Sequence, residues 1–311
     1  MTTMDLALTS TCMPLDTSPS AFGEFRNSTD IADDPNALAE RMRQEGYLFM
    51  RGYLDAGEVM EARAEVTDRL SRLGLLAPDY PAIEAVSKPG VRLPDWDRLV
   101  AETTGDNPPL KKLLYSGRMM TLYERLLGGA VRHFDFTWFR AVPAGGQGVN
   151  PHCDVVYMGR GTRNLFTAWT PLGDAPLETG GLMILEDSHL KANRLNKYLS
   201  RDVDAYCTNY PDAAEIESGR KVWQNWDGHL SRDPVTLREK LGGRWLTTDF
   251  RAGDVLTFSM GTVHASLDNH SNRFRLSTDT RYQLASDPID ERWIGDHPIA
   301  HGAAGKKGKI C

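Results

Sequence analysis

Two histidines and one aspartate, His152, Asp154 and His264, are the residues in this chain best suited to bind a transition metal. In a strand, positions i and i+2 project from the same face. The run Asn150-Pro151-His152-Cys153-Asp154 therefore predicts an imidazole and a carboxylate aimed at one point, with Cys153 turned away into packing. His264, carried in on a distant strand, would supply a second nitrogen and leave the opposite coordination face open. Two nitrogens and one oxygen so arranged form the facial set that suits non-haem Fe(II). The same donors also accept Zn(II) or Ni(II), because affinity alone does not select the metal. Taken by itself, the triplet favours reading His152 as a hydrogen-bonded histidine at a strand end.

An H-x-D spacing is weak evidence alone, since His133-Phe134-Asp135 repeats it. That triplet lies inside the continuous aromatic run VRHFDFTWFRAV with no turn before it, so a structural role is expected there. The second triplet follows Pro143-Ala144-Gly145-Gly146-Gln147-Gly148, a loop that lets the backbone enter a strand sharply. Downstream, Arg251-Ala252-Gly253-Asp254 is a turn feeding the apolar run Val255-Leu256-Thr257-Phe258, after which come His264, Ser266 and Arg275. An arginine between Phe274 and Leu276 needs a partner if buried, and is otherwise a surface residue. Buried, Arg275 with Ser266 would grip the far carboxylate of a dicarboxylate whose other end chelates the metal.

Strands and helices must place these residues. Asp34-Pro35 and Asp55 with Glu58 are helix starts, and Val59, Ala62, Val66, Leu70 and Leu73 form an apolar stripe of the kind that packs on a sheet. Residues 75–108, rich in proline and glycine, predict a long irregular segment. A helix from Leu110 to Leu127, broken near Ser116-Gly117, stops at Gly128-Gly129. Strands are expected at Tyr47–Tyr53 and from Val131 onward, then at 155–157, 164–170, 182–185, 244–250, 254–260 and 275–284. The fold class is thus mainly β with flanking helices, a barrel or jelly roll. One domain spans 21–311, with its helical part at about 33–130, its β core at about 131–285, and a polar, lid-like insertion at about 190–240 carrying Trp223 and Trp226. Residues 1–20 read as a disordered lead-in without a signal-peptide pattern.

Composition removes several classes. A net charge of -6 argues against a nucleic-acid binder with a broad basic face. No apolar run approaches the roughly 20 residues that span a bilayer. Four scattered cysteines, Cys12, Cys153, Cys207 and Cys311, predict neither disulfides nor a thiolate metal site, and fit the cytoplasm. His297, His301 and the basic tail Gly305–Lys309 read as solvated.

Together these residues resemble the phytanoyl-CoA dioxygenase family of Fe(II)- and 2-oxoglutarate-dependent oxygenases, which also includes ectoine hydroxylase. The match rests on the His152–Asp154 triplet, Ala168-Trp169-Thr170-Pro171-Leu172, and Gly180-Gly181 leading into Leu182–Leu185 and Ser188-His189. It is completed by His264-Ala265-Ser266, with Arg275 eleven residues after the histidine. The resemblance runs roughly from Gly46 to Gln283. It implies a double-stranded β-helix with Fe(II) on His152, Asp154 and His264, and 2-oxoglutarate on the iron, anchored by Arg275 and Ser266. Trp169 and Arg140 fall where members line or contact the cosubstrate. Glu186-Asp187 replaces the family's Pro-Gly before Ser-His, which alters that turn; His189 reads as structural. The implied reaction uses O₂ and releases succinate and CO₂ while oxidising a small metabolite or natural-product intermediate. Because Asp154 is retained, hydroxylation is expected rather than chlorination. No phosphate-binding cluster for a CoA ester is visible, and Arg281 is a candidate anchor for a substrate anion by position alone. The alternative is a metal- or small-molecule-binding barrel without oxygenase turnover.

Overall fold

The structure, a computed structural model, describes residues 7–221 and 226–311. Its first half is built from the expected helices. Asp34 accepts hydrogen bonds from the amides of Asn36 and Ala37, starting Pro35–Glu45, and Asp55 caps Ala56–Arg72 through the Glu58 amide. Such caps satisfy amides that the first helical turn leaves without partners. Val59, Ala62, Val66 and Leu70 are buried along one stripe. Pro108–Tyr115 and Gly117–Leu127 follow, broken at Ser116 as the sequence predicts. Within the supposedly irregular 75–108 stretch, Asp95 caps a further helix, Trp96–Thr104, which buries Leu99 and Thr103. The flanking prolines hide that short helix from a periodicity reading.

These helices pack on one face of a mostly buried antiparallel sheet. Its strand order is Tyr47–Met50, Val255–Ser259, Leu165–Pro171, Arg275–Leu284 and Val131–His133, and Trp138–Val142 also pairs with the long Arg275–Leu284 strand. Alternation sorts the side chains. Phe139, Phe166, Ala168, Leu276 and Tyr282 join the core under the helices, while Trp169, Leu256 and Phe258 point the other way. There they meet Leu182, Ile184 and Leu246 of a second sheet, ordered His264–Ser266, Leu182–Leu185, Trp245–Thr247 and Phe22–Glu24. The two sheets face each other without closing into a barrel.

Several expectations need correction. Helix accounts for roughly 33% of the chain and strand for roughly 22%, so "mainly β" understates the helical half. The segment after Asp154 is not a strand but the short helix Val155–Met158. The lead-in is not disordered over its described part: Thr9–Ser10 pairs with Met13–Pro14, and the Asp268 carboxylate accepts from the Thr9 hydroxyl and the amides of Thr11 and Cys12. A disulfide does form, between Cys207 and Cys311. It lies where strand Lys307–Lys309 runs parallel to Ala205–Cys207, a pairing that no local spacing reveals across 104 residues. The tail is therefore docked: the Lys306 ammonium and His301 ring both bond the buried Asp204 carboxylate. Trp223 lies outside the described residues.

Candidate metal and cosubstrate site

His152 and His264 meet edge to edge where the loop after Gly148 touches the second sheet. Each donates its amide to the other's carbonyl at 3.0 Å, an isolated antiparallel bridge. Gly148 makes the approach possible, because a Cβ there would sit 2.0 Å from the Ser266 carbonyl oxygen. The structure thus brings the three residues together, but not by the strand alternation the sequence suggests. His152 sits on a two-residue bridge, and Asp154 stands at the start of the Val155–Met158 helix.

Hydrogen bonds fix what each ring offers. His152 Nδ1 lies 2.7 Å from the Asn150 carbonyl and His264 Nδ1 lies 3.0 Å from the Thr262 carbonyl. A carbonyl only accepts, so both Nδ1 atoms carry the proton and both Nε2 lone pairs are free. The Asp154 carboxylate is oriented in the same sense. Its Oδ2 accepts from the Thr167 hydroxyl and from Arg281 Nη2, the latter at 3.0 Å. Its Oδ1 is left facing His264 Nε2 at 3.6 Å and His152 Nε2 at 3.8 Å. One donor atom from each residue lies within 4.8 Å of the others, and all three residues are buried.

The electrostatics favour deprotonated ligands. Burial, then the neighbouring His264, holds the His152 imidazole well below its ordinary value, and burial lowers His264 as well. Burial opposes ionisation of Asp154, but Arg281 and the two imidazoles outweigh it and keep the carboxyl well below the usual carboxylate range. A metal ion needs neutral imidazoles and a carboxylate, which is what this pocket stabilises.

Arg275 lines the same pocket from the six-stranded sheet, as do Trp169, Arg140, Asp279 and Arg281, while Ser266 faces it from the His264 strand. Arg275 is 2% exposed, and only its Nη1 has a protein partner, the Ser277 hydroxyl at 2.9 Å; Nε and Nη2 have none among the described residues. Burial pushes this guanidinium down to about 10, with Asp279 opposing the shift. Trp169 places its ring 6.0 Å from the Arg275 charge. The Ser266 hydroxyl accepts the Val149 amide at 2.8 Å, which leaves its proton to donate. Arg140 gives its Nε to Asp279 at 3.2 Å. A buried guanidinium with open donors, beside two nitrogens and one carboxylate oxygen, fits a dicarboxylate bound to a divalent metal.

The remaining candidates, Arg281 apart, fall outside the pocket. His133 stacks on Tyr115 at 4.2 Å and Asp135 accepts the Gly295 amide, so that triplet is structural. His189 bonds the Arg43 carbonyl and packs on Gly46, the left-handed cap of the first helix. Asp187 takes the left-handed conformation (φ 56°) where the family motif has glycine, so Ser188 still accepts the Val263 amide next to His264. Cys153 is buried packing. Arg281 is not simply a free anion anchor, because it holds Asp154. Thr167, Asp279 and this role of Arg281 went unread in the sequence. Positions 275, 277, 279 and 281 share one strand face, a parity that points to the last two.

The chain is similar to known proteins over most of its length. The 1-deoxypentalenic acid 11-beta-hydroxylase of Streptomyces arenae is 25% identical over 274 residues, covering 85% of this chain and 87% of that protein. Among solved structures, the non-haem alpha-ketoglutarate-dependent epimerase SnoN from nogalamycin biosynthesis matches with a TM-score of 0.53 at 22% identity, over 86% of this chain and 95% of its own. EctD from S. alaskensis, solved with 2-oxoglutarate and 5-hydroxyectoine, matches with a TM-score of 0.55 at 16% identity, over 95% and 94%. Those two likenesses are of fold. Among the described residues, no helix is long and apolar enough to cross a membrane. With the phytanoyl-CoA dioxygenase (PhyH) model matching residues 42–277, the chain belongs to that family of non-haem Fe(II)- and 2-oxoglutarate-dependent dioxygenases.

Proposed function

We infer that the chain hydroxylates, or otherwise oxidises, a small metabolite or natural-product intermediate with release of succinate and CO₂. In this reading His152 Nε2, His264 Nε2 and Asp154 Oδ1 hold Fe(II), and Arg275 and Ser266 hold the far carboxylate of 2-oxoglutarate. Trp169 walls the cosubstrate, and Arg140 borders it. The two facing sheets would be the halves of a double-stranded β-helix. Fe(II) with 2-oxoglutarate supplies the O₂ chemistry that no side chain here can provide. The chain's own residues bind, orient and dry the site. The Asn150 and Thr262 carbonyls hold the two Nδ1 protons, Thr167 and Arg281 hold Asp154, and the sheets exclude water.

One observation carries the reading: a buried Arg275 guanidinium with two open donors stands in the same pocket as the three metal donors. A fold that merely stored a metal has no use for that unpaired charge. Oxygen-dependent succinate release from 2-oxoglutarate by the Fe(II)-loaded protein tests the proposal. Equal background from wild type and His264→Ala would sink it and leave a metal-binding protein without turnover.

A further inference from the structure

The pocket carries more positive charge than its cosubstrate chemistry needs. Its charged lining is Arg140, Arg275, Arg281, Asp154 and Asp279. A divalent metal, Asp154, two neutral imidazoles, Arg275 and a 2-oxoglutarate dianion together balance to zero. To that balanced set this chain adds two cations, Arg140 and Arg281, against one anion, Asp279. One positive charge is left over. Uncompensated charge shielded from water is costly, and a site that retains it is built for an anion.

Open hydrogen-bond donors point to the same conclusion independently. Arg281 is 3% exposed, lies over the Trp138 ring at 4.3 Å and gives Nη2 to Asp154, yet its Nε and Nη1 have no partner among the described residues. Arg140 is half-buried and gives only its Nε to Asp279 in the bonds described. Both arginines line this one pocket: Arg140 pairs with Ser277, which lies on the same face of the long strand as Asp279 and Arg281. Asp279 and Arg281 lie beyond residue 277, where the family match ends.

Resting on the oxygenase reading above, we propose that the substrate is a carboxylate, its oxygens held by the open donors of Arg281 and Arg140. A neutral or cationic substrate leaves the surplus charge uncompensated. The test uses protein loaded with Co(II) and 2-oxoglutarate, titrated by calorimetry with benzoate and with benzamide, a neutral analogue of similar shape. Benzoate should bind about tenfold or more tightly than benzamide, since a charge-assisted hydrogen bond separates them. Arg140→Gln should weaken benzoate by about tenfold. Asp279→Asn, which raises the surplus from one charge to two, should tighten it. Arg281→Gln should abolish the preference; if that variant no longer takes up Co(II), the other two decide. Equal binding of the two probes, no binding of either, or displacement of 2-oxoglutarate by benzoate overturns the proposal. Wild-type protein that takes up neither Co(II) nor 2-oxoglutarate brings down the oxygenase reading instead, and this inference with it.

Discussion

Around Asp204, buried charge is saturated. The carboxylate takes Arg292, His301 Nδ1 at 2.8 Å and Lys306 Nζ at 2.6 Å, and Arg292 also bonds Asp290 and the Tyr157 carbonyl. Around Arg275, equally buried, two nitrogens are left without a partner, and Arg281 repeats the pattern six residues along the same strand. Leaving a buried donor unsatisfied costs stability, so a fold retains such groups where a ligand completes them. The saturated cluster ties the C-terminal tail to the insertion. The unsaturated one, on the function proposed above, holds small molecules. Between these two clusters, pairing of the buried charge draws a distinction that burial alone does not.

The sharpest way to break that contrast is to remove one of the proposed metal donors. His152→Ala or His264→Ala should drop Fe(II)-dependent succinate release to background, measured anaerobically loaded and then aerated, while urea midpoints of the metal-free proteins stay near wild type. Next in size, Arg275→Met should raise the KM for 2-oxoglutarate by about 10–100-fold. Because it deletes an unpaired buried charge, its metal-free stability should hold or rise. Asp204→Asn makes the opposite pair of claims. It strands the Lys306 ammonium and takes one of its partners from Arg292, so it should cost about 3 kcal/mol in denaturant unfolding. Turnover per folded molecule should remain unchanged. A destabilised Arg275→Met with a normal KM would reverse the assignment of the two clusters.

Acid should distinguish the clusters more gently. Burial pushes the Asp204 carboxyl up, but His301 and Lys306 outweigh it and hold it at about 2, below its ordinary 3.8. A depressed carboxylate contributes stability that is fully present above its unfolded value and disappears as pH falls through its folded value. Wild type should therefore lose stability between about pH 4 and pH 2 by a component missing from Asp204→Asn, which paired acid titrations of unfolding would reveal. The smallest effect belongs to Ser266→Ala. Loss of one neutral donor should raise the KM for 2-oxoglutarate by about 3- to 10-fold.

Much of this molecule is written locally. Asp34 before Pro35, Asp55 three residues before Glu58, and the 3.6-residue stripe from Val59 to Leu70 specify their helices because caps and amphipathic faces depend only on neighbours in sequence. That His152, Asp154, His264 and Arg275 would share one pocket was legible too, since a rare combination of residue types and spacing singles them out. Trp96–Thr104 and Val155–Met158 were misread because short helices carry too little period to outweigh flanking proline or β-branched residues.

Only the tertiary structure decided the rest. It brought His152 onto His264 through a two-residue bridge, turned Asp154 Oδ2 toward Thr167 and Arg281 so that Oδ1 faces the rings, and joined Cys207 to Cys311. Each of these depends on strands and loops distant in the chain arriving in one register. A side chain's hydrogen-bond partners, and hence which of its atoms remain free for chemistry, are set by that arrival and by no spacing within the chain.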